Sequence, residues 1–126
     1  MRLLLDTHVV LWQLSGAREL GARAREKIEA AAELAFSAVS FAEIGVKAAL
    51  GKLVVPDDLH ARIADTGVRF LGLSAQHGLA VANLPLHHRD PFDRLLIAQA
   101  QQERLILVTA DARIAAYEVA VLDPLS

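Results

Sequence analysis

Short apolar runs set between longer stretches of helical pattern constrain this chain more than any other feature. The runs are Leu3–Leu5, Leu34–Ser37, Arg69–Leu73, Leu105–Val108 and Ala120–Leu122. They are too short for helices, and they lack the apolar–polar alternation of a strand with one wet face. Strands that are apolar on both sides need cover on both sides, and the segments between them supply it. The pattern therefore predicts an α/β fold: a central parallel sheet with helices on both faces. The intervening helices read as His8–Leu14, broken by Ser15-Gly16; Arg18–Glu33, rich in Ala, Glu, Arg and Lys; and Ala38–Leu50, ended by Gly51 and Pro56. Another opens at Asp57-Asp58 and stops at Gly67, and one capped by Ser74 runs to about Leu84. A further helix starts at Asp90-Pro91 and runs through Glu103, and a short one follows Asp111. No repeat, linker or low-complexity tract divides the chain, so residues 1–126 read as one domain.

Composition narrows the chemistry. A chain of 126 residues buries about two thirds of its unfolded surface and needs no covalent staple. With no cysteine, disulfides, thiolate-held zinc, iron–sulfur clusters and thiol nucleophiles are excluded. Thirteen Lys and Arg against 15 Asp and Glu leave a formal charge of −2, which argues against a polybasic binder of nucleic acid or membrane. The apolar share is 54% against a usual value of roughly 45–50%, which fits a full core and a surface that needs a partner. Asp6 interrupts the apolar start too early for a signal peptide. The longest stretch without Asp, Glu, Lys or Arg, Phe70–His88, holds three His, Gln76, Asn83 and Pro85, so it does not span a membrane. A soluble, cytoplasmic protein is expected.

In parallel sheets the binding crevice lies outside the carboxyl ends of the strands. Asp6 follows Leu3–Leu5 directly, and Asp111 lies just past Leu105–Val108. Glu43 sits one turn into the helix after the second run, and Asp93 in the first turn of the helix opened by Asp90-Pro91. Four carboxylates from different βα units can thus meet at one sheet edge. Such a cluster repels itself unless a cation joins it. With oxygen ligands alone, Mg²⁺ or Mn²⁺ is the natural choice. An ion so held keeps waters, activates one of them and binds a substrate phosphate, which is the chemistry of phosphodiester hydrolysis.

Plainer roles compete. Asp6 and Asp111 suit helix caps, and Glu43 suits a surface pair with Lys47 four residues on. Asp90 as N-cap and Pro91 at the first helical position account for that helix start, with Asp93 serving either the cap or a metal. His87-His88 read as a solvated loop. There is no His-x₃-His, Gly-x-Ser-x-Gly or glycine-rich phosphate loop, so zinc hydrolases, serine hydrolases and P-loop or Rossmann nucleotide binders are disfavoured. Val9 and Trp12 belong to a core face or an interface.

Taken together, Leu3-Leu4-Leu5-Asp6-Thr7-His8, Ser37-Ala38-Val39-Ser40-Phe41-Ala42-Glu43-Ile44, the segment His88–Ala100 and Leu107-Val108-Thr109-Ala110-Asp111 resemble the PIN-domain family. The resemblance is greatest to the VapC-type ribonuclease toxins of toxin–antitoxin pairs. It implies a PIN fold and Mg²⁺- or Mn²⁺-dependent endoribonuclease activity on RNA. Asp6, Glu43, Asp93 and Asp111 match the family's catalytic, metal-holding quartet, and Thr109 matches a supporting hydroxyl. A VapB-like antitoxin that blocks the site and a homodimer are implied as well. Arg94 and Arg113, close behind two of the acids, are candidates to contact phosphate, though each also reads as a solvated side chain. Two alternatives are a non-catalytic PIN scaffold and an Mg²⁺-binding receiver-like signalling domain. The latter needs an acid pair after the first strand, an Asp after the third and a Lys after the last. The chain offers a single Asp6, then Leu73-Ser74, and lysines only at 27, 47 and 52.

Overall fold

A computed structural model describes all residues, Met1–Ser126. Five strands form one sheet: β1 (Arg2–Leu5), β2 (Glu33–Ser37), β3 (Arg69–Leu71), β4 (Ile106–Val108) and β5 (Val121–Leu122). Their order is β3-β2-β1-β4-β5, and every pairing is parallel. The chain builds outward from β1 on one side and then returns to its other side. The order reverses between β1 and β4, which is where such sheets open a crevice. A receiver-type sheet runs 2-1-3-4-5, so topology removes that alternative.

Alternation along β1 explains its unbroken apolar run. Leu4 joins a core with Ala35, Leu96, Ile97, Leu107 and Tyr117 on one face of the sheet. Leu3 and Leu5 join a second core with Val9, Phe36, Ile44 and Ile63 on the other. Leu3 and Leu4 are wholly inaccessible, and each leucine so buried stabilises the fold by about 1.5–3 kcal/mol. The covering helices are α1 (Thr7–Ser15), α2 (Ala22–Glu29), α3 (Ala38–Ala49), α4 (Leu59–Ala64), α5 (Ala75–Ala80) and α6 (Pro91–Glu103). None is long and apolar enough to cross a membrane.

The elements differ from expectation where tertiary partners decide. The helix expected over Arg18–Glu33 is confined to Ala22–Glu29. Glu33 instead opens β2 opposite Arg2, and its carboxylate is held by Arg2 and Arg69. Gly16, at φ 72°, closes α1 with its N–H on the Trp12 carbonyl, a left-handed stop that suits glycine. The helix from Ser74 has the expected cap, reinforced by the His77 ring, but tightens into a 3₁₀ turn at Val81–Asn83. The segment after Asp111 is likewise a 3₁₀ turn, Ile114–Ala116.

Candidate active site

Asp6 takes the extended backbone of an N-cap to α1, yet its side chain caps nothing. Its N–H continues the β1–β4 ladder onto the Val108 carbonyl at 3.0 Å. That register sets Asp6 beside Thr109, whose hydroxyl donates to Asp6 Oδ2 at 2.7 Å. Asp6 Oδ1 is buried and has no partner, an arrangement that costs about 1–3 kcal/mol unless something fills the gap. Burial pushes the Asp6 carboxyl above its usual range, the Thr109 bond opposes this, and neighbouring Glu43 adds to it.

Glu43, on the second turn of α3, is 2% exposed. Its Oε1 lies 2.8 Å from Thr7 Oγ1, which is 2.7 Å from Ser40 Oγ. Thr7 has one hydroxyl proton, so it donates to the carboxylate and accepts from Ser40. Glu43 Oε2 accepts from Lys47 Nζ at 2.7 Å. The pair foreseen as a surface contact therefore exists, but its acid faces inward, and Thr7 and Ser40 are supports that spacing had not revealed.

At the start of α6, Asp90 Oδ1 accepts the N–H groups of Phe92 and Asp93 at 2.8 and 3.2 Å, the cap expected of it. Asp93 is thereby free for another task, and its Oδ2 meets His88 Nε2 at 2.7 Å. Desolvation, with repulsion from Asp6, Asp90 and Glu43, lifts the Asp93 carboxyl to about 6 despite the His88 bond. His88 corrects the expectation of a solvated loop: it is 7% exposed and lies 3.7 Å from Asp111 Oδ2 as well. The cue was its place five residues before Asp93, masked by the polar residues around it.

Asp111 accepts the Arg113 backbone N–H at 2.9 Å and, from one edge of its guanidinium, Nε and Nη2 at 3.1 and 3.0 Å. It is thus partly the local cap that its position suggested. Arg113 draws the Asp111 carboxyl below its usual range, and the Arg113 side chain remains 64% exposed.

Arg94 requires a correction. It does not face the cleft. Its guanidinium is buried and donates to the carbonyls of Val81, Leu84, Pro85 and His88 and to the Tyr117 hydroxyl. Those acceptors occupy it, so it has no role toward phosphate.

Asp6, Glu43, Asp93 and Asp111 line one cleft of about 270 Å³, with His8, Trp12, Lys47, Asp90 and Arg113 on its walls. Its four acids repel one another, they offer only oxygen donors, and one buried carboxylate oxygen has no partner. Those three properties fit a hard divalent cation. An apolar groove of about 440 Å³ adjoins it, walled by Leu11, Trp12, Leu14, Leu53, Val54 and Val55 and sharing His8 and Trp12 with the cleft.

The PIN domain family model matches residues 3–120. The chain is 32% identical over 114 residues to ribonuclease VapC22 of Mycobacterium tuberculosis, covering 88% of each protein. Among solved structures it is similar to VapBC2 of Rickettsia felis bound to a promoter DNA fragment, with TM-score 0.74 and 14% identity over 97% of this chain and 98% of that one. It is also similar to FitAcB of Neisseria gonorrhoeae, with TM-score 0.66 and 22% identity over 97% of both. A DNA-bound VapBC of Salmonella typhimurium gives TM-score 0.70 at 14% identity over 98% of both. Likeness at these structural identities speaks to fold.

Proposed function

The chain belongs to the PIN-domain family, and from that premise we propose that it is a metal-dependent endoribonuclease, a VapC-type toxin restrained by a VapB-like antitoxin. The observation that carries this is the convergence of four carboxylates on one cleft, with Asp6 Oδ1 buried and unpartnered inside it. The relative named a ribonuclease and the VapBC complexes among the structural neighbours support the substrate and the partner.

In this reading Asp6, Asp93 and Asp111 hold Mg²⁺ or Mn²⁺, and Glu43 holds the ion or orients the attacking water. The bound ion supplies a water activated near neutral pH and a counter-charge for the scissile phosphate. The protein's own groups prepare the cleft. Thr109 engages one oxygen of Asp6 and leaves the other facing inward. Thr7 and Lys47 hold both oxygens of Glu43, so the carboxylate is oriented before substrate arrives. Arg113 stands exposed at the rim, where its guanidinium can turn from Asp111 to the negative charge that develops on phosphate. A length of antitoxin seated in the Trp12 groove would border the acids, because groove and cleft share a wall.

Purified protein is expected to cleave single-stranded RNA with Mg²⁺, and EDTA should abolish the activity. Asp6→Asn should lower kcat/KM by about 10³-fold or more, the loss of several kcal/mol of transition-state stabilisation. Full activity in Asp6→Asn, from a preparation free of other nucleases, would sink the assignment. Metal binding with no cleavage across a broad RNA panel would favour the scaffold alternative.

A further inference from the structure

His88 is a buried polar group that the proposed chemistry leaves without a task. Its Nδ1 accepts the Arg89 N–H at 3.1 Å, so the ring proton sits on Nε2. Nε2 is 2.7 Å from Asp93 Oδ2 and therefore donates to it. Asp93 Oδ1 makes no hydrogen bond. The backbone of His88 is held as firmly as its ring. Its N–H donates to Tyr117 Oη at 2.9 Å, and its carbonyl accepts from the same hydroxyl at 3.3 Å and from Arg94 Nη1 at 3.4 Å. Arg94 Nη1 also donates to Tyr117 Oη at 3.2 Å.

We propose that His88 is a positioning residue for Asp93: it binds Oδ2 and so presents Oδ1 to the cleft, on a loop that Arg94 and Tyr117 clamp in place. The inference rests on reading the cleft as a divalent-metal site. A carboxylate held by a second group loses less freedom when it takes up a cation, and removing such supports commonly weakens metal binding 10–100-fold. The alternative, in which His88 is itself a ligand, has a geometric basis. Donor atoms of His88, Asp90 and Asp93 lie within 4.8 Å of one another. One fact counts against it: the His88 nitrogen facing those acids carries the proton, because Nδ1 accepts the Arg89 N–H.

The test is calorimetric titration of Mn²⁺ into the wild-type chain, His88→Ala and His88→Gln, with melting in EDTA to verify folding. The glutamine amide nitrogen can take the place of Nε2. Affinity should fall 10–100-fold in His88→Ala and stay within about threefold of wild type in His88→Gln. If His88→Ala shows no melting transition, His88→Met, which fills the space without a donor, replaces it. Nitrogen NMR of the wild-type imidazole supplies an independent readout: Nε2 should bear the proton both before and after Mg²⁺ is added. Wild-type affinity in His88→Ala or His88→Met, weakening in His88→Gln equal to that in the variant lacking a donor, or loss of the Nε2 proton on adding Mg²⁺ overturns this inference alone. A wild-type chain that binds no Mn²⁺ overturns the metal reading and this inference with it.

Discussion

The start of α6 and the exit from β4 look alike in sequence and behave oppositely in space. Each delivers an acid to the cleft, Asp93 or Asp111, with an arginine one or two residues later. At α6 the arginine is interior. Arg94 ties the 81–88 segment to the helix through four carbonyls and a tyrosine hydroxyl. At β4 the arginine is a rim residue whose side-chain hydrogen bonds all go to the Asp111 carboxylate. A guanidinium has five donors in a planar fork. Whether it becomes scaffold or reagent depends on how many fixed acceptors surround it. One arginine helps to build the acidic site, and the other partly neutralises it.

Removing Arg94 should have the largest effect on stability. Arg94→Met fills the space but leaves several buried acceptors without a donor, and it should cost about 3–5 kcal/mol in urea unfolding. A loss near zero would put both arginines in one class and break the comparison.

Next in size is the self-repulsion of the acids. A carboxyl raised from 3.8 to about 6 penalises the folded anion by at most about 3 kcal/mol, of which solvent screening leaves roughly 1–2. Asp93→Asn should therefore stabilise the metal-free protein at pH 7 by that amount while eliminating cleavage, as seen by melting in EDTA and by RNA assay.

The pH dependence follows with a definite sign. Because the folded-state pKa of Asp93 is raised, its favourable contribution is complete below about 3.8 and is lost as pH rises through about 6. Asp6 moves the same way. The melting temperature of the metal-free protein should fall between pH 4 and pH 7, and saturating Mg²⁺ should flatten the slope at the upper end. Asp111, held low by Arg113, contributes the opposite slope, but only under more acid conditions.

The smallest effect is expected at the rim. Arg113→Ala should leave the melting temperature unchanged and let the Asp111 carboxyl rise toward its ordinary range, measurable by NMR titration. It should lower kcat/KM by about tenfold, less than the 10²–10³ of a donor already fixed on the reacting oxygen, because an exposed arginine must first be ordered.

Local pattern was enough for several features. The unbroken apolar run Leu3–Leu5 demanded cover on both faces, and β1 lies between two cores. Asp90-Pro91 marked a helix start whose cap is the one observed. Asp6 and Asp111 were placed at strand ends by their neighbours in sequence alone, and Glu43 by its helical turn. These features depend on periodicity and on contacts a few residues apart, which a chain displays directly.

Long-range pairing decided the rest. Thr109 bonds Asp6 across 103 positions, because β4 lies against β1 and not beside β5 alone. Thr7 finds Glu43 36 residues away, and Tyr117 finds His88 29 residues away. Nothing in the spacing of Arg94 and Arg113 separates them; the loop folded over one and not the other does. Hydrophobic periodicity therefore determined the layers and the strand ends where acids collect. Only the tertiary structure decided which acid oxygen remains unpartnered, which histidine is buried against a carboxylate and which arginine is free, since burial and hydrogen-bond satisfaction are properties of neighbours in space.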